Sequence, residues 1–120
     1  MTLPRARRTL LAAAPAWLKH LTVRLLPGPV VRRLRQSYYA HLTRRFREEY
    51  EPDLAYLKYL LRPGDTVIDI GASIGIHTKI LSRCVGGSGH VLSVEPVPET
   101  FALLTTAVKA LHLDNVRPLQ

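Results

Sequence analysis

Hydrophobic and polar positions alternate along the chain in two distinct rhythms. From residue 16 to residue 61 the spacing is helical. Ala16–Leu26 places Trp17, Leu18, Leu21 and Leu25 on one side, and Pro27-Gly28-Pro29 ends the run. Over Val30–Arg47 the residues Val30, Leu34, Tyr38, Leu42 and Phe46 recur every fourth position, which predicts a helix with those five facing inward. Glu51–Leu61 predicts a third helix, with Pro52 in its first turn and Leu54, Leu57 and Leu61 inside. Arg62-Pro63-Gly64-Asp65 is a turn signal.

After that turn the rhythm changes. Thr66-Val67-Ile68-Asp69-Ile70 is a short β-branched run that predicts a buried strand. Gly71-Ala72-Ser73-Ile74-Gly75 predicts a small-residue loop, and Ile76–Val85 a helix with Ile76, Ile80 and Leu81 inward. Gly86-Gly87-Ser88-Gly89 breaks the chain before a second strand, Val91–Glu95. Glu99–Leu111 predicts a helix on Phe101, Leu104, Val108 and Leu111, and Val116 begins a third strand. Strand, helix, strand, helix, strand is the βαβαβ half of a doubly wound parallel sheet. The fold class expected is therefore α/β, a Rossmann-like parallel sheet that stops after about three strands, with basic helices in front of it.

Charge divides the chain in the same place. Residues 1–47 hold eleven Lys and Arg and no acid, whereas residues 48–120 hold six bases and nine acids, giving +8 overall. We expect residues 1–49 to form a basic helical arm and residues 50–120 the N-terminal half of a ligand-binding domain. An arm of that charge suits an anionic partner, either a membrane surface or nucleic acid. A solvated basic face on two packed helices is the plainer alternative. Arg5, Arg7 and Arg8 before Leu10–Ala14 resemble the start of a secretory signal, but Pro15 interrupts the apolar stretch and Lys19 follows. Residues 1–47 are acid-free and Arg-rich like a mitochondrial transit peptide, yet their first serine is Ser37. Cys84 is the single cysteine, which precludes an intrachain disulfide and fits a reducing compartment. A cytoplasmic protein, with peripheral membrane contact as an option, is the expectation.

Candidate chemistry sits at the carboxyl ends of the strands, where such sheets bind ligands. Asp69 lies near the end of the first strand and Glu95 closes the second, 20 residues beyond Gly75. That offset places a carboxylate where these folds meet a nucleoside ribose, and two acceptor oxygens match two adjacent hydroxyls. Gly71 and Gly75 permit close backbone approach, and Ser73 stands between them. The loop lacks the G-x-G-x-x-G triplet of dinucleotide sites. Asp69 beside it would repel a pyrophosphate and attract a cation. S-adenosylmethionine carries an ammonium and a sulfonium and no phosphate, so it is the expected cofactor. His77 could face the crevice as a general base, although a surface or packing histidine is the commoner reading. His90 falls at the other end of the sheet, and Cys84 reads as a small buried helix residue. No cluster has metal-ligand spacing.

These residues resemble a known family. Val67-Ile68-Asp69-Ile70-Gly71-Ala72-Ser73-Ile74-Gly75 is similar to the first motif of class I S-adenosylmethionine-dependent methyltransferases. Tyr50-Glu51-Pro52, Leu61–Asp65, Glu95-Pro96-Val97-Pro98 with Phe101 and Leu104, and Asn115-Val116 resemble the FkbM family in particular, with Ser73 where Asn is usual. The resemblance implies O-methylation of a hydroxyl on a sugar or other small molecule. It implies that Gly71, Ala72, Ser73 and Gly75 line the methionine end of the cofactor, that Asp69 holds its amino group and that Glu95 holds the ribose. It further implies that the acceptor pocket lies beyond Gln120, so that the chain alone would be marginally stable and weakly active. Two other readings remain compatible with the residues: a nicotinamide-dependent Rossmann enzyme, and a non-enzymatic basic module that binds membrane or nucleic acid.

Overall fold

The computed structural model describes residues 26–47 and 52–120. The helix expected over Ala16–Leu26 lies outside the described residues except for Leu26. The chain divides into two compact units, residues 1–32 and residues 33–120. The described part of the first unit is a turn at Pro27, whose carbonyl accepts the Val30 and Val31 N–H groups and opens helix α1 (Gly28–Arg45).

In the second unit α1 continues and is followed by two short helices, α2 (Pro52–Ala55) and α3 (Leu57–Leu60). One helix was expected here. Around Tyr56 the bonding tightens: Tyr56 N–H donates to Asp53 and the Tyr56 carbonyl accepts from Tyr59, both three residues apart. Leu54 is buried, and Leu57 and Leu61 pack against the core as the spacing predicts.

Strand β1 (Thr66–Ile70), helix α4 (Ile76–Val85), strand β2 (His90–Val94), helix α5 (Pro98–Ala110) and strand β3 (Val116–Leu119) complete the chain. All pairings are parallel in the order β1-β2-β3, with Asp69 opposite Ser93 and Ile70 opposite Val94. Right-handed crossovers between successive neighbours place both helices on one face of the sheet. Burial agrees with this. Asp69, Val91 and Ser93 are buried beneath the helices, while Ile68 and Ile70 on the other face are 60% and 83% exposed. The expectation of a fully buried first strand therefore needs correcting. Helices cover one side only, so alternate side chains of β1 face outward.

The core forms two clusters that share Val116. One joins Leu81, Val85 and Val91 to Leu57, Leu61 and Val67, and the other joins Ala72, Leu104 and Val108 to Phe101 and Leu113. The C-terminal turn of α4 is closed by Asn115. Its amide donates to the Ser82 and Gly86 carbonyls at 3.0 and 2.8 Å, and its oxygen accepts from Ser82 Oγ at 2.6 Å.

Helix α1 docks by a face that its apolar spacing did not indicate. Ala40 and Thr43 are buried, while Leu34, Tyr38 and Leu42 of the expected inner stripe are 58%, 62% and 41% exposed. Small side chains let the helix approach α4 closely. The buried Lys79 reaches across and donates to the Thr43 and Phe46 carbonyls at 2.8 Å and to the Arg44 carbonyl at 3.3 Å. Thr43 and Arg44 lie in the last turn of α1 and Phe46 just past it, so the ammonium sits at the negative end of the helix dipole.

Candidate cofactor site

The site forms where β1 and β2 end. Beyond Ile70 the chain must reverse into α4, and three residues take up left-handed dihedrals to do so: Gly71 (φ 78°), Ser73 (φ 52°) and Gly75 (φ 88°). A side chain at Gly75 would meet Leu104 Cδ1 at 3.0 Å, so this glycine lets α4 start against α5. A side chain at Gly71 would meet nothing within 4 Å. The loop residues thus divide into two kinds. Gly71 and Ser73 are exposed at the strand ends, whereas Ala72 and Gly75 are turned into the core and act through the backbone they fix.

The loop's N–H groups point inward. Gly71 and Ala72 both donate to the Val94 carbonyl, at 2.9 and 3.0 Å, and Gly75 donates to the Ala72 carbonyl at 2.9 Å. Ser73 N–H donates to Glu95 Oε2 at 3.0 Å. A phosphate cradle needs such donors aimed at the ligand, and here four of them are already satisfied by the protein. The loop is therefore a poor site for a pyrophosphate, as its sequence suggests.

Glu95 is buried just past the end of β2. Its second oxygen, Oε1, accepts the Val97 N–H at 2.9 Å. Each carboxylate oxygen thus takes one backbone donor and keeps further acceptor capacity. One side chain fixes both the loop and the turn after β2 and still presents two acceptors.

Asp69 is also buried. Its Oδ2 accepts from Thr78 Oγ1 at 2.6 Å, and the Thr78 and Ser93 hydroxyls lie 3.1 Å apart. Parallel register puts Asp69 beside Ser93 on one face, and the first turn of α4 brings Thr78 over both. Among the described residues no Lys or Arg pairs with Asp69. A buried carboxylate that takes a hydroxyl donor and has no such cation beside it suits a ligand ammonium. The donor set fits the positively charged, phosphate-free cofactor expected from the sequence.

Nothing in the local sequence marks Thr43, Thr78 and Ser93 as part of the site. Thr43 Oγ1 donates to the Ile74 carbonyl at 3.1 Å, so α1 supports the loop from behind. No sequence spacing marks such partners, which lie 9 to 31 residues apart. His77 is exposed in the first turn of α4, and His90 sits at the start of β2, at the far end of the sheet. Removing the hydroxyl donor should be costly. Thr78→Val is expected to lower stability by about 2 kcal/mol, read as a fall in the urea midpoint, because the buried Asp69 carboxylate loses the hydroxyl that donates to it.

The profile of the protein-L-isoaspartate(D-aspartate) O-methyltransferase family matches residues 52–119. Protein-L-isoaspartate O-methyltransferase 2 of Archaeoglobus fulgidus is 41% identical over 56 residues, covering 47% of this chain and 26% of that protein. The protein-L-isoaspartate O-methyltransferase of Ignicoccus hospitalis is 37% identical over 59 residues, covering 49% and 28%. The chain spans about a quarter of the length of these curated relatives. Among solved structures, a SAM dependent methyltransferase from Aquifex aeolicus aligns with a TM-score of 0.57 at 29% identity, over 71% of this chain and 46% of that one. A protein-L-isoaspartate O-methyltransferase aligns at 0.53 and 30% identity, over 57% and 23%. The resemblance to class I methyltransferases thus holds for the fold. The narrower FkbM resemblance is not what the profile match shows. The chain belongs to the protein-L-isoaspartate(D-aspartate) O-methyltransferase family.

Proposed function

We propose that the chain is the cofactor-binding part of an S-adenosylmethionine-dependent methyltransferase whose acceptor is a carboxylate on a protein, the isoaspartyl group named by its relatives. The observation that carries the cofactor reading is the pair of buried carboxylates, Asp69 and Glu95, flanking a loop whose N–H groups face inward. Asp69 holds the ammonium, Glu95 accepts the ribose hydroxyls, and Gly71 and Ser73 line the methionine end. Ala72 and Gly75 hold the loop in shape. When bound, S-adenosylmethionine supplies an activated methyl group on a positively charged sulfur. The protein's own contribution is to hold that methyl in line with the acceptor and to exclude water.

The choice of acceptor has a chemical consequence. A hydroxyl on a sugar or other small molecule, as the FkbM resemblance implies, needs a general base to become nucleophilic. A carboxylate is ionised at neutral pH and needs none. Neither a base nor a metal has to be found for the isoaspartyl reaction. A nicotinamide cofactor fits the loop poorly, for the same reason a pyrophosphate does. Cytoplasmic residence belongs to this reading. Among the described residues no helix is long and apolar enough to cross a membrane.

The acceptor is tested by transfer of a labelled methyl group to a peptide containing isoaspartate and to its aspartyl twin. Base-labile label on the isoaspartyl peptide alone is expected. Base-stable label on a sugar or other hydroxyl compound would replace the protein acceptor with a small molecule.

A further inference from the structure

Helix α1 buries Ala40 and Thr43 against the domain, which leaves its other side facing outward. On that side Leu34, Tyr38 and Leu42 follow one another at every fourth position, each more than 40% exposed. At 100° per residue they form one ridge along the helix. Tyr38 is held edge-on against Tyr39 at 5.4 Å, and the Arg35 guanidinium lies 5.8 Å from the Tyr39 ring. The ridge is therefore apolar and aromatic, and part of it is braced.

Cations surround it. The helix carries Arg32, Arg33, Arg35, Arg44 and Arg45 and no acidic residue. Along one flank a groove of about 380 Å³ runs between α1 and α5, lined by Arg33, Ser37, His41, Arg44 and Thr106 among others. Every polar side chain named there can donate a hydrogen bond, and none is a carboxylate. Arg44 is held in place by its bond to the Ala110 carbonyl at 2.6 Å.

An apolar ridge with cationic flanks and a donor-lined groove matches one surface in shape and charge. We propose that the outward face of α1 is an interfacial anchor for an anionic lipid membrane. Leu34, Tyr38 and Leu42 enter the boundary between headgroups and acyl chains, the arginines remain at headgroup level, and the groove takes a lipid phosphate. Arg45, on the same side as the ridge, reaches the headgroups along its apolar stem. A nucleic acid would place phosphates across the centre of the binding face, and that centre is Leu-Tyr-Leu. The inference is independent of the cofactor and acceptor readings.

Flotation of the full chain with vesicles tests it. The probes are pure phosphatidylcholine vesicles and vesicles of phosphatidylcholine mixed with phosphatidylglycerol. The wild-type chain is expected to float with the mixed vesicles and to remain behind with the neutral ones. The pair Leu34→Ser/Leu42→Ser, at exposed positions, should keep its circular dichroism and lose affinity at least about tenfold. The pair Arg33→Gln/Arg35→Gln should lose affinity for the anionic vesicles by a similar factor. Wild-type binding in the leucine pair would overturn the proposal, because attraction by basic residues alone would then explain the result. It would also fail if the wild-type chain ignored the mixed vesicles or bound duplex DNA in preference to them. A wild-type dimer that the leucine pair converts to monomer, with vesicle binding unchanged, would assign the ridge to a second copy instead.

Discussion

Gly89→Ala is expected to be the most damaging single methyl group in the chain, lowering stability by about 3 kcal/mol. Gly89 is buried at the turn before β2. A Cβ there would lie 2.5 Å from Val85 Cβ, 2.7 Å from the Asp65 carbonyl oxygen and 2.7 Å from the Val85 carbonyl oxygen. None of these neighbours can move freely. The Val85 carbonyl accepts the Gly64 N–H at 2.8 Å, and the Asp65 carbonyl accepts the His90 N–H at 2.9 Å as β2 begins. Relief of the clash would break the junction of β1, α4 and β2 together. For a domain of this size the loss corresponds to a fall in melting temperature of roughly 15 °C. Gly87→Ala is the control. A Cβ at Gly87 meets nothing within 4 Å, and the change should stay within about 0.5 kcal/mol. Equal effects from the two substitutions in thermal melts would contradict the packing described here.

Lys79→Met should come next, at about 3 kcal/mol, with a distinct signature. Methionine keeps most of the volume but removes the charge and the donors. The Thr43, Arg44 and Phe46 carbonyls then lose the ammonium that caps α1, and a buried acceptor left unpaired costs about 1–3 kcal/mol. The damage should begin in α1 rather than in the sheet. Hydrogen exchange is expected to show amides of residues 36–45 opening well before those of β1 and β2. Release of α1 also withdraws Thr43 from the Ile74 carbonyl, so cofactor affinity should fall with it. Uniform loss of protection across the sheet would contradict a local role for Lys79.

What the sequence revealed and what it concealed follow from the range of the forces involved. The expected bounds of β1, α4 and the start of β3 match the structure, because β-branched runs, helical spacing and glycine breaks are local signals. The positions of Asp69 and Glu95 at the strand ends were legible from their place after each strand. The inner face of α1 was not. Periodicity identifies an apolar stripe but says nothing about which surface a helix meets. Here α4 presents Lys79 and the loop presents the Ile74 carbonyl, and both require close approach by small residues and exposed carbonyls. Ala40 and Thr43 meet that need, whereas Leu34 and Tyr38 do not. The hydroxyl pair Thr78 and Ser93 was hidden for a similar reason: their meeting with Asp69 depends on strand register and on where α4 begins. Ser73 stands where the FkbM family, which the loop resembles, usually has Asn. Its left-handed φ of 52° gives the reason Asn is favoured there, since Asn tolerates that region better.

The central claim is that Asp69, Glu95 and the loop between them bind S-adenosylmethionine. Calorimetric titration of the wild-type chain and of Glu95→Gln, with NAD as the comparison ligand, tests it most directly. A glutamine side chain has one acceptor oxygen, so it cannot receive both the Ser73 and the Val97 N–H groups and also serve the ribose. The account predicts saturable binding of S-adenosylmethionine by the wild type, at least about a tenfold loss in Glu95→Gln, and no heat from NAD. A folded wild-type chain that binds NAD in preference to S-adenosylmethionine, or a Glu95→Gln chain that binds S-adenosylmethionine as tightly as the wild type, would contradict it.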